Sequence, residues 1–160
     1  MAKVLVSGAS GPIGAALLPK LKEQGYDVVR LVRRPSSGDR EIRWDTSQAL
    51  DPAAVSGFDT VIHLAGETIV GRWTGAKKQR IHQSRAEGTR NLANALARSS
   101  PKPRVLVSAS AIGFYGSRGD EVLREDSSSG HDFLSAVCRD WEHCSLLQRL
   151  PSPSVPGQPV

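Results

Sequence analysis

The sequence predicts an α/β fold, a doubly wound parallel sheet of about five strands in the order 3-2-1-4-5. Three observations carry that expectation. Short apolar runs such as Val4-Leu5-Val6 and Val61-Ile62 recur along the chain, and they suit strands buried on both faces of a parallel sheet. Stretches with helical spacing separate them, and alternation this regular indicates right-handed crossovers. The first run ends at Gly8, and glycines return at Gly11 and Gly14 just as a helical pattern opens.

Residues 3–7 read as the first strand. The following helix carries Ile13, Leu17, Leu18 and Leu21 at helical spacing, and Gly25 closes it. Pro12 fits its first turn, whereas Pro19 is expected to kink it or disturb its first half. Residues 28–32 form the second strand, ending in Arg33-Arg34-Pro35. A polar loop leads to a short third strand at 41–44, and Asp51-Pro52 starts a short helix. Residues 59–66 make the fourth strand and its outgoing turn. One long helix is expected over 75–98, with Ile81, Gly88, Leu92, Ala95 and Leu96 as its inner stripe. Residues 104–108 form the fifth strand, and a polar loop runs over 111–130. The last helix covers 132–148, with Phe133, Val137, Trp141 and Leu146 on one side. Residues 1–149 then form one domain, and the Pro/Ser-rich stretch 150–160 is expected to be extended and disordered.

Composition narrows the function classes. With 39% hydrophobic and 23% charged residues, the chain reads as a soluble protein. No apolar run approaches the ~20 residues of a membrane span. Met1-Ala2-Lys3-Val4 leads directly into a strand without a signal peptide, so a cytoplasmic protein is expected. Cys138 and Cys144 are the only cysteines and read as reduced thiols, without a metal-ligand pattern. A net charge of +5 suits an anionic small ligand and is too diffuse to indicate nucleic acid. The basic run Arg72, Lys77, Lys78, Arg80, Arg85 and Arg90 reads as a solvated helix face.

The glycines have separate physical tasks. Gly8 makes the tight turn out of the strand, Gly11 lets backbone approach a pyrophosphate, and Gly14 lets the helix pack close. The helix N-terminus adds unpaired N–H groups and a positive dipole end. A chain that binds NAD carries an acidic residue about 20 positions further on, for the ribose 2′-hydroxyl. Here that place holds Arg33 and Arg34, which suit a 2′-phosphate, so NADP(H) is expected over NAD(H). Leu64, Ala65 and Gly66 should pass the cofactor as backbone, with Ser108, Ser110 and Tyr115 near the nicotinamide end and Asp45 near the adenine. Glu67 is a candidate base, its pKa open to elevation by desolvation, and Tyr115 or His131 a candidate acid.

Several of these residues together carry a resemblance. Gly8-x-x-Gly11-x-x-Gly14, His63-Leu64-Ala65-Gly66, Glu87-Gly88-Thr89-Arg90-Asn91-Leu92 and Val107-Ser108-Ala109-Ser110 followed by Tyr115-Gly116 resemble the extended short-chain dehydrogenase/reductase superfamily, the NAD(P)-dependent epimerase/dehydratases. Ala65-Gly66-Glu67, Arg72-Trp73, Ser84-Arg85 and Phe133-Leu134 with Trp141-Glu142 look like its atypical epimerase-family branch. The expected cofactor contacts become Gly8, Ser10, Gly11, Pro12, Ile13, Gly14, Arg33, Arg34, Asp45, Leu64, Ala65, Gly66, Glu67, Arg85 and Ser108. Ser110 aligns with the superfamily's active-site serine, and Ser110 and Tyr115 are the candidate catalytic residues, acting on a small-molecule substrate.

Two departures accompany the resemblance. The Tyr-x-x-x-Lys pair that does the superfamily's chemistry is absent: Leu134 and Cys138 stand there when the chain is aligned on Glu142. The chain also stops after the fifth strand and its helix, whereas extended members continue into a substrate domain. A sheet ending there exposes one edge, which favours self-association. Three functions are consistent with these residues: an NADP-dependent enzyme with an unorthodox acid, an NADP-binding or sensing module without turnover, and a truncated copy.

Overall fold

A computed structural model describes residues 1–146. The expected end of the last helix and the 150–160 tail lie outside the described residues, as does the side chain of Leu146. The elements are β1 (Lys3–Ser7), α1 (Pro12–Glu23), β2 (Asp27–Val32), β3 (Glu41–Arg43), β4 (Thr60–His63), α2 (Gly75–His82), α3 (Gly88–Arg98), β5 (Val105–Ser108) and α4 (Phe133–Leu146). All strand pairs are parallel and the sheet order is β3-β2-β1-β4-β5, as expected. Ser7 pairs with His63, and His63 with Ser108, so the carboxyl ends of three adjacent strands are level. Ligands of open α/β sheets bind at such an edge.

Side chains alternate between two cores, as a pleated strand requires. Leu5, Val29, Leu31 and Val61 pack with Trp44, Phe58, Leu92 and Leu96 on one face. Val4, Val6 and Val28 pack with Leu18, Leu21 and Ile62 on the other. Fully burying a side chain such as Leu5 or Leu92 contributes about 2 kcal/mol.

Helix α1 opens at Pro12 and ends in a Schellman arrangement at Gly25 (φ +78°), where Tyr26 N–H reaches Leu21 O and Gly25 N–H reaches Lys22 O. It runs on through Pro19, where an exposed position lets water meet the freed carbonyl of Ala15. Leu18 and Leu21 reach the core, but Ile13 in the expected stripe is 64% exposed.

The expected single helix over 75–98 is interrupted: a π-helical turn at Gln83–Glu87 separates α2 from α3. The inner stripe survives on both sides, with Ile81, Gly88, Leu92, Ala95 and Leu96 all buried. A Cβ on Gly88 would lie 2.9 Å from Thr46 Cβ, so only glycine lets α3 approach the segment after β3 this closely. The short helix near Asp51 is one 3₁₀ turn, Ala53–Val55.

Helix α4 starts where Asp132 Oδ1 accepts from the Ser135 N–H (2.8 Å) and hydroxyl (3.0 Å). It buries Val137, Cys138, Trp141 and Cys144, and both thiols are free. Strand β5 is one of the two outer strands, opposite β3, with Val105 41% and Val107 48% exposed. Among the described residues no helix is long and apolar enough to cross a membrane.

Candidate functional site

A cleft of about 540 Å³ opens at the carboxyl ends of β1, β2 and β4. Gly8, Ser10 and Gly11 border it from the turn after β1, and Arg33 and Arg34 from the end of β2. Leu64, Ala65, Gly66 and Glu67 border it from the segment after β4. Arg30, Trp44, Thr46 and Ser84 line it too, although spacing along the chain did not single them out for the site.

The glycine turn is built by close approach. Gly8 has φ +70°, and a Cβ there would sit 2.5 Å from the Leu64 carbonyl. Gly11 N–H donates to Gly8 O at 3.0 Å, and a Cβ on Gly14 would fall 2.5 Å from the same oxygen. Any larger residue at Gly8 or Gly14 would push the strand, turn and helix apart. Gly11 caps α1 without a side chain, and the first turn carries no acidic residue. The positive end of α1 therefore has no side-chain anion of its own. Pro12, Ile13 and Gly14 belong to this first turn without lining the cleft.

The π-helical turn holds the opposite wall. Glu67 N–H donates to Ser84 Oγ (2.9 Å), and Arg85 Nη1 donates to the Glu67 carbonyl (2.9 Å). Arg85 is half-buried, its guanidinium 5.3 Å from the Trp141 ring centre. Arg85 thus supports the wall from behind and does not line the cleft, nor is it part of a solvated face. A Cβ on Gly66 would come within 3.1 Å of that guanidinium.

The Glu67 carboxylate is 3.0 Å from Lys77 Nζ, whose hydrogen bond holds it below the usual carboxylate range. The expected elevation by desolvation is thereby reversed, and at neutral pH this group is an ion-paired carboxylate. Asp45 does not line the cleft; its Oδ1 accepts from the N–H (3.0 Å) and hydroxyl (2.9 Å) of Ser47, closing a turn. Arg34 grips Glu41, whose carboxyl is held at about 2, chiefly by that guanidinium.

His63 is fully buried at the end of β4, with Nδ1 2.6 Å from Ser7 Oγ. Burial pushes its pKa down to about 4, so the ring is neutral at pH 7. Its Nε2 has no partner among the described residues. Leu64 N–H reaches the same Ser7 hydroxyl at 3.2 Å, so this buried pair ties β4 to the glycine turn.

The candidate catalytic residues lie apart from the cleft lining. Ser110 is exposed and donates to Glu142 Oε1. Tyr115 closes a 3₁₀ turn, its ring 5.2 Å from that of Phe114. Ser108 is half-buried beside His63 in the sheet register, and His131 is exposed. Leu134 and Cys138 face Gly113, and burial pushes the Cys138 thiol up.

Comparison with known proteins agrees with this geometry. The chain is 39% identical over 143 residues to the epimerase family protein Mb2239 of Mycobacterium bovis, covering 88% of this chain and 47% of that protein. The human epimerase family protein SDR39U1 (isoform 2), solved with NADPH, matches with a TM-score of 0.79 at 30% identity, over 94% of this chain and 50% of that one. MoeE5, solved with UDP-glucose and NAD, matches at 0.76 and 29% identity, over 91% and 48%. The chain spans about half the length of these relatives. The sequence profile of the NAD dependent epimerase/dehydratase family covers residues 4–135, in keeping with the parallel sheet and the glycine turn, and the chain belongs to that family.

Proposed function

We propose that this chain is an NADP(H)-binding domain of an epimerase- or oxidoreductase-like protein. The observation that carries the reading is one cleft bordered by both an uncapped helix N-terminus and the exposed Arg33. The first-turn amides of α1 suit a pyrophosphate. Arg33 stands where NAD-binding chains place a carboxylate, and its positive charge favours a 2′-phosphate. The relative solved with NADPH supports this choice, and MoeE5 with NAD marks the alternative.

Gly8, Ser10 and Gly11 would hold the phosphates, and the backbone of 64–66 would border the rest of the cofactor. A bound nicotinamide cofactor supplies hydride transfer. A second reading, binding without turnover, has its own support. The family resemblance, aligned on Glu142, puts Leu134 and Cys138 in place of the acid–base pair, and Lys77 engages the Glu67 carboxylate that borders the cleft.

Thermal denaturation of the purified chain with NADPH and with NADH tests the proposal. At 100 times Kd a ligand of the native state adds about 2.7 kcal/mol, so NADPH should raise the Tm by several degrees. An equal or larger rise with NADH would exclude NADP preference. No rise with either, in a folded sample, would exclude the cofactor reading.

A further inference from the structure

Three arginines, Arg30, Arg33 and Arg34, border one end of the cleft, and their surroundings make them unequal. Glu41, the first residue of β3, stands opposite Arg30 in the sheet register, with a side chain only 3% exposed. Arg30 Nη2 reaches its Oε1 at 2.5 Å. Arg34 grips both oxygens, Nη2 to Oε1 at 2.6 Å and Nη1 to Oε2 at 2.8 Å. The N–H and hydroxyl of Ser37 donate to Oε2 at 2.8 and 2.9 Å. Arg34 Nη1 also reaches the Pro35 carbonyl (3.0 Å) and Ser37 Oγ (3.3 Å), which closes the turn between β2 and β3.

Arg33 has no hydrogen-bond or ion-pair partner among the described residues. The nearby carboxylates of Asp45 and Glu67 feel its charge, but they accept their hydrogen bonds from Ser47 and Lys77. A bidentate guanidinium–carboxylate pair is geometrically specific, and the Arg30 and Ser37 bonds to the same carboxylate fix the place at which Arg34 meets it. In this structure Arg34 is thus committed to Glu41, while the Arg33 guanidinium is not committed to any carboxylate.

We infer that Glu41 sets the nucleotide preference of this cleft by engaging Arg30 and Arg34, leaving a ribose 2′-phosphate to Arg33 alone. The inference rests on the NADP reading of the site. It makes Glu41 a specificity-determining residue that touches no ligand, and it divides two adjacent arginines into one that recognises phosphate and one that holds the turn.

The test is calorimetric titration of the 160-residue chain with 2′,5′-ADP and with 5′-ADP, which differ by the 2′-phosphate. Arg33→Ala should weaken 2′,5′-ADP roughly tenfold or more, the cost of a lost charge-assisted hydrogen bond, while 5′-ADP binding stays unchanged. Arg34→Ala should leave the ratio of the two affinities unchanged, even if it lowers the Tm. Glu41→Gln should raise the ratio in favour of 2′,5′-ADP several-fold as the arginines are released. Equal losses of the ratio in the two arginine variants, or an unchanged ratio in Glu41→Gln, would overturn the inference. If Glu41→Gln fails to fold, the two exposed arginine variants decide it alone. Wild-type chain without preference for 2′,5′-ADP would fail the NADP reading itself. A preference newly gained by Glu41→Gln in that case would still sustain the role of Glu41.

Discussion

At the scale of single residues, the site is organised by groups with no room for substitution. Gly8 and Gly14 meet Leu64 and Gly8 backbone at distances no Cβ tolerates. His63 is the buried counterpart, and it makes stability depend on pH. Its ring titrates at about 4 in the folded chain against 6.5 when unfolded. Between those values the unfolded state binds more protons, so stability is complete above pH 6.5 and is lost as pH falls towards 4. The loss between pH 7.5 and 5 should be about 2 kcal/mol, read by urea denaturation at the two pH values. His63→Gln should flatten that slope; an unchanged slope would place the titrating group elsewhere. Glu41, held at about 2 against 4.5, contributes stability that is lost only below pH 4.5, outside this window.

At the scale of elements, the wall of the cleft depends on the π-helical turn between α2 and α3. Single π-helical turns inside helices are frequent at functional sites. Here Ser84 and Arg85 are aimed at the backbone of Glu67. Ser84→Ala should remove the hydroxyl's two hydrogen bonds, from the Glu67 N–H and to the Ile81 carbonyl, at about 1 kcal/mol each, and speed hydrogen exchange at the Glu67 amide while the sheet stays protected. Uniform loss of protection across the chain would show instead that the turn supports the whole fold. Neither residue type nor periodicity gave this away. The apolar positions Ile81, Gly88 and Leu92 fit one continuous helix, and a π-helical turn adds no distinctive residue to the pattern. The glycine turn, by contrast, was legible because each glycine answers to local backbone geometry.

At the scale of the whole molecule, β5 stands at one edge of the sheet among the described residues, with Val105 and Val107 exposed to solvent. An apolar edge strand invites pairing with another chain. Sedimentation of the purified chain should therefore show concentration-dependent association, and Val107→Lys should reduce it at equal concentration. A wild-type chain monomeric throughout the measured range would reject the β5 edge as a contact.

By itself the sequence determined the alternation of parallel strands with helices, the phosphate-binding turn and the inner stripe of the long helix. All of these follow from periodicity and from glycines with strict backbone tasks. Only the tertiary structure decided which charges are available. Arg33 and Arg34 are neighbours of one type, yet Arg34 is held by a carboxylate seven residues away on β3. Glu67 is an ion-paired carboxylate because Lys77 reaches it from α2. The charge a side chain offers to a ligand depends on partners brought up by folding, and sequence spacing carries no record of them.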